Sequence, residues 1–237
     1  MKIINASTEI LTPITGDELR QIEYAGRTCY KSEDKITDDS AKKFVENLIK
    51  RGHEAMLEHS SLSVKFICDR GVSHELVRHR LASFAQESTR YCNYSKDKFG
   101  NELTFIKPCF FIEKEDSIFR GADYERWRTA MAVAEDTYFQ MIKYGCTPQE
   151  ARSVLPNSIK TEIVMTANYR EWRHFFWLRA AHKTGPAHPQ MEELTVPLLY
   201  EVSGLIPVVF DDIVEKCAEL NRIETKLNKN SNKTSCE

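Results

Sequence analysis

A chain of 237 residues, 41% of them apolar and 29% charged, is long enough to bury a sizeable core and has the composition of an ordinary globular protein. Its 33 basic and 35 acidic side chains leave a formal net charge of −2, so a strongly basic site must be local. That suits a small anionic ligand better than a nucleic-acid polymer or an anionic membrane, and neither of those is expected as a partner. The opening residues lack a basic stretch followed by a long apolar one, and no run of about 18 apolar residues occurs, so neither a secretory leader nor a membrane span is expected. The cysteines (29, 68, 92, 109, 146, 217 and 236) are odd in number and never in a C-x-x-C pair. Free thiols in a reducing cytoplasm are the expectation, without a disulfide framework or a metal site.

In chain order, a helix is predicted from Thr37, with Asp38 and Asp39 in its first turn, an apolar face of Phe44, Val45, Leu48 and Ile49, and a stop at Gly52. "LSVKFIC" (62–68) alternates Leu62, Val64, Phe66 and Cys68 on one face, the pattern of a half-buried strand. Asp69 then caps a short helix running through Val72, Leu76 and Val77 into Arg78. The longest helix is predicted around 124–145, with Trp127, Met131, Ala134, Tyr138 and Met141 on one side and Gly145 at its end. Thr147-Pro148-Gln149-Glu150 is a capping box with proline at the first helical position. "TEIVMTA" (161–167) reads as a buried strand and "REWRHFFWLRAAH" (170–182) as helix. No internal repeat or Gly/Ser-rich linker divides the chain. One α+β domain over 1–222 is expected, followed by a polar tail (223–237) without regular structure.

The segment "RHRLASFAQESTR" (78–90) packs three arginines and a histidine into thirteen residues, together with Ser83, Gln86, Ser88 and Thr89. Guanidinium groups stay charged and present a planar fork that matches phosphate oxygens, so one reading is an anion pocket for nucleotide phosphates. The other is a helix end whose arginines are solvated or paired with Glu75 and Glu87. Spacing alone leaves both open.

Arg78-His79-Arg80, seven further residues and then Ser88 is similar to the R-H-R-x7-S signature of the flavin-dependent thymidylate synthases, the ThyX family. "RGHEAMLEH" (51–59) resembles the family's R/K-G-H-x-S/T-x-x-E-H element, "EARSVLP" (150–156) its A-R-x-x-L-P element, and "TANYREWRHFFWLR" (166–179) its N-x-R…L-R segment. The elements stand in family order across well over half the chain. The resemblance implies a ThyX-like α+β fold, an antiparallel or mixed sheet packed with long helices. It also implies methylation of dUMP to dTMP, with carbon from 5,10-methylenetetrahydrofolate and reducing equivalents from NADPH through FAD, in a homotetramer whose active sites are shared.

Carried over position by position, the resemblance puts Arg78, His79 and Arg80 at the flavin, with Arg78 also near the nucleotide. Gln86, Glu87, Ser88, Thr89 and Arg90 would form the dUMP loop, with Arg152 at the phosphate and Glu75, Leu76 and Val77 as a second dUMP stretch. Asn168, Tyr169, Arg170 and His174 would meet the flavin, and Gln86 would touch it as well. His53, Ala55 and Glu58 match positions near the flavin and folate side, His53 being a candidate for catalysis. Arg179 matches the arginine that holds and polarises the uracil ring; a fixed cation there stabilises negative charge developing on the pyrimidine. The chain departs from the family in four places. Ala85-Gln86 replaces the common Asn-Glu, which leaves Glu87 as a candidate to supply the missing carboxylate. His174 replaces an Asn, Ala55 replaces a hydroxyl residue, and the stretch 181–193 is longer.

Other motifs read as structure. Cys109 in "PCF" lacks the following histidine of a folate-only thymidylate synthase and is expected to pack. His53 and His59 are six apart and do not share a helical face, while His182 and His188 flank Gly185-Pro186 and suggest a loop. Trp172, Phe175, Phe176 and Trp177 are expected in a core or interface, and Arg170, Arg173 and Arg179 would ordinarily form a solvated helix face. Two other functions stay open: another flavoenzyme acting on a pyrimidine nucleotide, or a non-catalytic nucleotide- or RNA-binding module.

Overall fold

The structure, a computed structural model, describes residues 1–96, 100–111 and 118–234. The elements run β1 (Lys2–Ile4), β2 (Ser7–Ile10), α1 (Glu18–Tyr30), α2 (Ser40–Lys50), β3 (Ser61–Asp69), α3 (Arg70–Leu76), β4 (Ser83–Gln86) and β5 (Thr104–Ile106). They continue with α4 (Ile118–Lys143), α5 (Pro148–Ala151), β6 (Lys160–Asn168), α6 (Tyr169–Arg179), α7 (Pro189–Leu205) and α8 (Asp211–Thr234). The fold is α+β. β1 and β5 pair in parallel, with Lys2 opposite Thr104 and Ile4 opposite Ile106, while β2-β3-β6-β4 form a four-stranded sheet in that order. No helix among the described residues is long and apolar enough to cross a membrane.

The period-two pattern of "LSVKFIC" becomes β3, with Leu62, Val64, Phe66 and Cys68 all buried. β6 alternates in the same way, burying Thr161, Ile163, Met165 and Ala167, so it is half-buried rather than covered on both faces. The Asp69 carboxylate accepts the Val72 N–H at 2.8 Å and starts α3. Both Thr147 groups, N–H and hydroxyl, donate to the Glu150 carboxylate at 2.7 Å and begin α5. α2 starts at Ser40 instead of Thr37, because the Thr37 N–H donates to the Ser40 hydroxyl at 2.9 Å and closes a separate turn first. The polar tail, expected without regular structure, continues α8 to Thr234. Its Glu, Lys and Leu residues are strong helix formers, and polarity argues against burial rather than against helix. Residues 235–237 lie outside the described residues.

Contacts divide the chain into two compact units without a linker between them, each built from two separate stretches. Unit one comprises Met1–Glu9 and Val64–Met165; unit two comprises Ile10–Ser63 and Thr166–Glu237. The core of unit one gathers Tyr94, Leu103, Phe105, Met131, Tyr138, Ala151 and Ile159, with Trp127 packed against it and donating from Nε1 to the Ser158 hydroxyl at 3.0 Å. Unit two is built around the aromatic run of α6. Trp172, Phe175 and Phe176 are fully buried, Phe176 meets Phe210 edge-on at 5.5 Å, and Trp172 Nε1 donates to the Leu62 carbonyl at 2.9 Å. Each such side chain contributes about 1.5–3 kcal/mol by leaving water, which sets α6 firmly in its unit. Trp177 is only half-buried.

The described cysteines form no disulfide. Burial pushes the Cys68 thiol up to about 12 and the Cys217 thiol up to about 11, so both are unreactive protonated thiols at neutral pH. Cys109 is half-buried, and Cys236 lies outside the described residues.

Candidate active site

The residues singled out in the sequence fall in both units. Unit one holds Glu75 to Arg80, Gln86 to Arg90 and Arg152; unit two holds His53, Ala55, Glu58, Asn168, Tyr169, Arg170, His174 and Arg179.

In unit one, α3 delivers the chain into Arg78. Leu76 is fully buried, so its side chain is core and only its backbone can face a ligand. Glu75 is half-buried, Val77, Arg78 and Arg80 are exposed, and His79 between the two arginines is buried. Two exposed guanidiniums beside a buried imidazole fit an anionic ligand on the surface of the unit.

Gln86 ends β4 and its orientation is fixed. Its Nε2 donates to the Ser73 hydroxyl at 2.9 Å and to the Thr161 hydroxyl at 3.2 Å. Ser73 gives its own proton to the Arg70 carbonyl at 2.9 Å, so it can only accept from Gln86. The Gln86 amide group is thereby consumed and its carbonyl oxygen is left to accept. Glu87, the candidate to supply a carboxylate in its place, accepts from the Tyr94 hydroxyl at 3.0 Å and from Lys160 at 3.2 Å, inside unit one. Burial, followed by the Glu87 charge, raises the Tyr94 phenol well above its usual range. Lys160 titrates above its ordinary value: burial opposes its charge, and the carboxylates of Glu162 and Glu87 outweigh that. After Glu87 the chain turns, with the Tyr91 and Cys92 N–H groups donating to the Ser88 carbonyl. Thr89 is buried and accepts from Arg152 Nη1 at 3.4 Å; Arg90 is exposed and lies over the Tyr91 ring at 5.4 Å. The structure therefore joins Thr89 to Arg152, two positions expected at the nucleotide and 63 residues apart in sequence.

In unit two, Gly52 adopts φ +70°, a left-handed conformation that ends α2 and lets the His53 N–H reach the Leu48 carbonyl at 2.9 Å. His53, Ala55 and Glu58 are exposed. His53 and Ala55 line a cavity of about 720 Å³ whose walls also include Tyr30, Phe44, Asn47 and Arg51. Glu58 pairs with Arg170 at 2.5 Å, so two residues expected near the flavin are held by each other. Asn168 caps α6, its side-chain oxygen accepting the Glu171 N–H at 2.9 Å. Tyr169 is fully buried against Phe210 at 6.0 Å, so only its backbone can meet a ligand. His174 is exposed one turn beyond Arg170. Arg179 closes α6 half-buried, and its carbonyl accepts the Thr195 hydroxyl at 2.9 Å, which anchors that helix end to α7. Of the two histidines weighed as loop residues, His182 pairs with Glu192 at 2.6 Å and His188 caps α7.

Three features of unit two were not legible in the sequence. Arg173, expected on a solvated face, is 2% exposed and donates to both oxygens of Asp212 at 2.7 Å, to Glu54 at 3.1 Å and to the Val209 carbonyl. Burial acts against its charge, yet Asp212 and Glu54 hold its pKa above the ordinary arginine value. Glu171 is buried and its pKa is raised by desolvation, with His174 pulling the other way. A carboxyl with a raised folded pKa stabilises the fold below its unfolded value and loses that contribution as pH rises through the folded one. Glu171→Gln is thus expected to raise the melting temperature relative to the parent at pH 8 more than at pH 4.5, as read by circular dichroism. An equal shift at both pH values would contradict it.

The third feature is Gly26 in α1. A Cβ there would sit 2.6 Å from the Phe44 ring, which itself carries Arg27 over its face at 4.7 Å and lines the cavity with His53. Gly26→Ala should displace Phe44 into the cavity, at a cost of about 1–3 kcal/mol for overpacking. The expected readout is a lowered melting temperature. An unchanged variant would show that Phe44 has room to yield.

Fold and motifs together define an α+β protein with two clusters of basic side chains suited to anionic ligands. Residues 11–208 match the family model described as thymidylate synthase complementing protein, Thy1. A flavin-dependent thymidylate synthase of Pyrococcus furiosus is 32% identical over 202 residues, spanning 85% of this chain and 78% of that one. Those of Geobacter sulfurreducens (31% over 210 residues, 86% and 85%) and Corynebacterium aurimucosum (35% over 203 residues, 81% and 78%) are similar to the same extent. Among solved structures, a UMP/dUMP methylase, PolB, from Streptomyces cacaoi bound with 5-Br dUMP superposes with a TM-score of 0.71 at 23% identity, covering 89% of this chain and 96% of that one. That likeness speaks for the fold. The chain belongs to the Thy1 family, the family of the flavin-dependent thymidylate synthases.

Proposed function

We propose that this protein methylates dUMP to dTMP, with FAD as cofactor, 5,10-methylenetetrahydrofolate as carbon donor and NADPH as reductant, acting in the cytoplasm as a homotetramer with shared active sites. The observation that carries the reading is the family match over 11–208 in a chain that keeps the motif basic residues Arg51, Arg78, Arg80, Arg90, Arg152, Arg170 and Arg179. The unit-two cavity fits a dinucleotide cofactor by its donor set, since aromatic Tyr30 and Phe44 can face a ring while Arg51 and His53 can face phosphate. Bound there, FAD would supply the hydride relay between nicotinamide and the one-carbon unit.

The chain's own part in this reading is to bind and polarise. Arg78 and Arg80 meet the flavin side, Ser88, Thr89, Arg90 and Arg152 hold the nucleotide, and Gln86 offers a neutral acceptor between them. Arg179 sets a fixed positive charge beside the pyrimidine, where charge develops during methylation. His53, Ala55, Glu58, Asn168, Tyr169, Arg170 and His174 complete the cofactor side, Tyr169 through its backbone.

The test is spectroscopic. Protein titrated with FAD should turn yellow and bind stoichiometrically, and NADPH oxidation should then depend on dUMP. Failure to bind flavin would favour a nucleotide-binding module without redox chemistry. Flavin-dependent NADPH oxidation that ignores dUMP would favour a different flavoenzyme.

A further inference from the structure

Unit one contains a cavity of about 490 Å³ whose lining has no carboxylate. Three basic side chains, Arg70, His74 and Arg152, border it, with Thr89, Gln149 and Asn157 as polar company. Arg70 and His74 are four residues apart on α3 and so share a face of that helix. The Arg70 N–H donates to the Asn157 carbonyl at 2.9 Å, which ties the start of α3 to the loop that follows Arg152. Arg152 reaches across to the Thr89 hydroxyl at 3.4 Å.

Arg70 is the unusual member. Its Nη1 is screened from solvent and has no hydrogen-bond partner among the described residues. A screened guanidinium N–H without an acceptor is costly, because it has given up water and gained nothing in exchange. The carboxylate next to it in sequence, Asp69, is occupied with the Val72 N–H. An anion with several acceptor oxygens would complement this lining, and a phosphate monoester supplies them in the geometry a guanidinium fork prefers.

We infer that Arg70 is a phosphate ligand, holding the 5′-phosphate of the nucleotide together with Arg152 in this cavity. No motif of the sequence covers Arg70. The inference rests on the nucleotide reading proposed above and adds to it a specific contact. Thr89 joins the site through Arg152, so the dUMP loop and the phosphate pocket are one unit of structure. The volume accommodates a phosphate and its sugar, within the ordinary range of ligand cavities.

The experiment compares dUMP, deoxyuridine and inorganic phosphate as ligands of the FAD-loaded protein, for the parent chain, Arg70→Met and Arg70→Lys. Arg70→Met is expected to weaken dUMP about tenfold to a hundredfold, as loss of a charge-assisted contact does, and to weaken inorganic phosphate in parallel. Deoxyuridine affinity should stay unchanged, and Arg70→Lys should recover part of the dUMP loss. A purely structural role for Arg70 would weaken nucleoside and nucleotide alike, and that outcome overturns the inference. So does unchanged dUMP affinity in Arg70→Met. Should the methionine variant unfold by circular dichroism, the lysine variant decides: it must discriminate between dUMP and deoxyuridine less than the parent does, and full parental discrimination counts against Arg70. A parent protein that binds no dUMP overturns the nucleotide reading itself, and this inference with it.

Discussion

Arg173→Met is expected to destabilise the protein by about 3 kcal/mol, at the lower end of the cost of breaking a buried ion pair. Arg173 is nearly inaccessible, and its removal would strand the Val209 carbonyl and leave Asp212 and Glu54 without their counter-charge. The lower end applies because Asp212 and Glu54 are 41% and 30% exposed and can recover water. For a chain of this size the melting temperature should fall by roughly 6–12 °C. The deficit should be constant with pH across the neutral range. A raised arginine pKa contributes stability that is fully present below the ordinary arginine value, far above neutrality, and is lost only above the folded one. A variant melting within about 2 °C of the parent would show that the network contributes specificity of packing rather than stability.

Arg179→Ala should reduce dTMP formation by about a hundredfold to a thousandfold or more, the scale on which losing a charge-stabilising donor acts in the transition state. The fold should survive, because the bond that anchors this end of α6 is made by the Arg179 carbonyl with Thr195 and any residue can supply it. Flavin binding should persist for the same reason. Arg179→Lys should be intermediate, since a lysine restores charge without the planar fork. Parental rates of dTMP formation in Arg179→Ala would remove Arg179 from the chemistry.

Much of this was legible in the sequence where local rules apply. The alternation in 62–68, the Asp69 cap, the Thr147–Glu150 box and the aromatic run of α6 each follow from short-range patterning, and each has its counterpart in the structure. The basic segment 78–90 stood out by composition, but arginine spacing left an anion pocket and a solvated helix end both open, and only the resemblance to the family signature favoured the pocket. Long-range partners were not. Arg173 reads as a surface charge until Asp212, 39 residues away, and Glu54, 119 residues away, are seen to enclose it. Gln86 and Glu87 are adjacent, yet they meet different partners, Ser73 and Thr161 for one, Tyr94 and Lys160 for the other. Position alone suggested that Glu87 could replace a missing carboxylate; its Tyr94 and Lys160 partners are long-range contacts that position does not reveal. Nothing in the residues around Arg70 along the chain announces that its Nη1 is buried without a partner among the described residues.

The central claim is carbon transfer to dUMP under flavin control, and one measurement tests it most directly. Purified protein loaded with FAD is incubated with dUMP, NADPH and methylenetetrahydrofolate labelled in its one-carbon unit, and the pyrimidine nucleotides are separated. The account predicts label in dTMP only when all four components are present. NADPH consumption with no label in any pyrimidine nucleotide would contradict it.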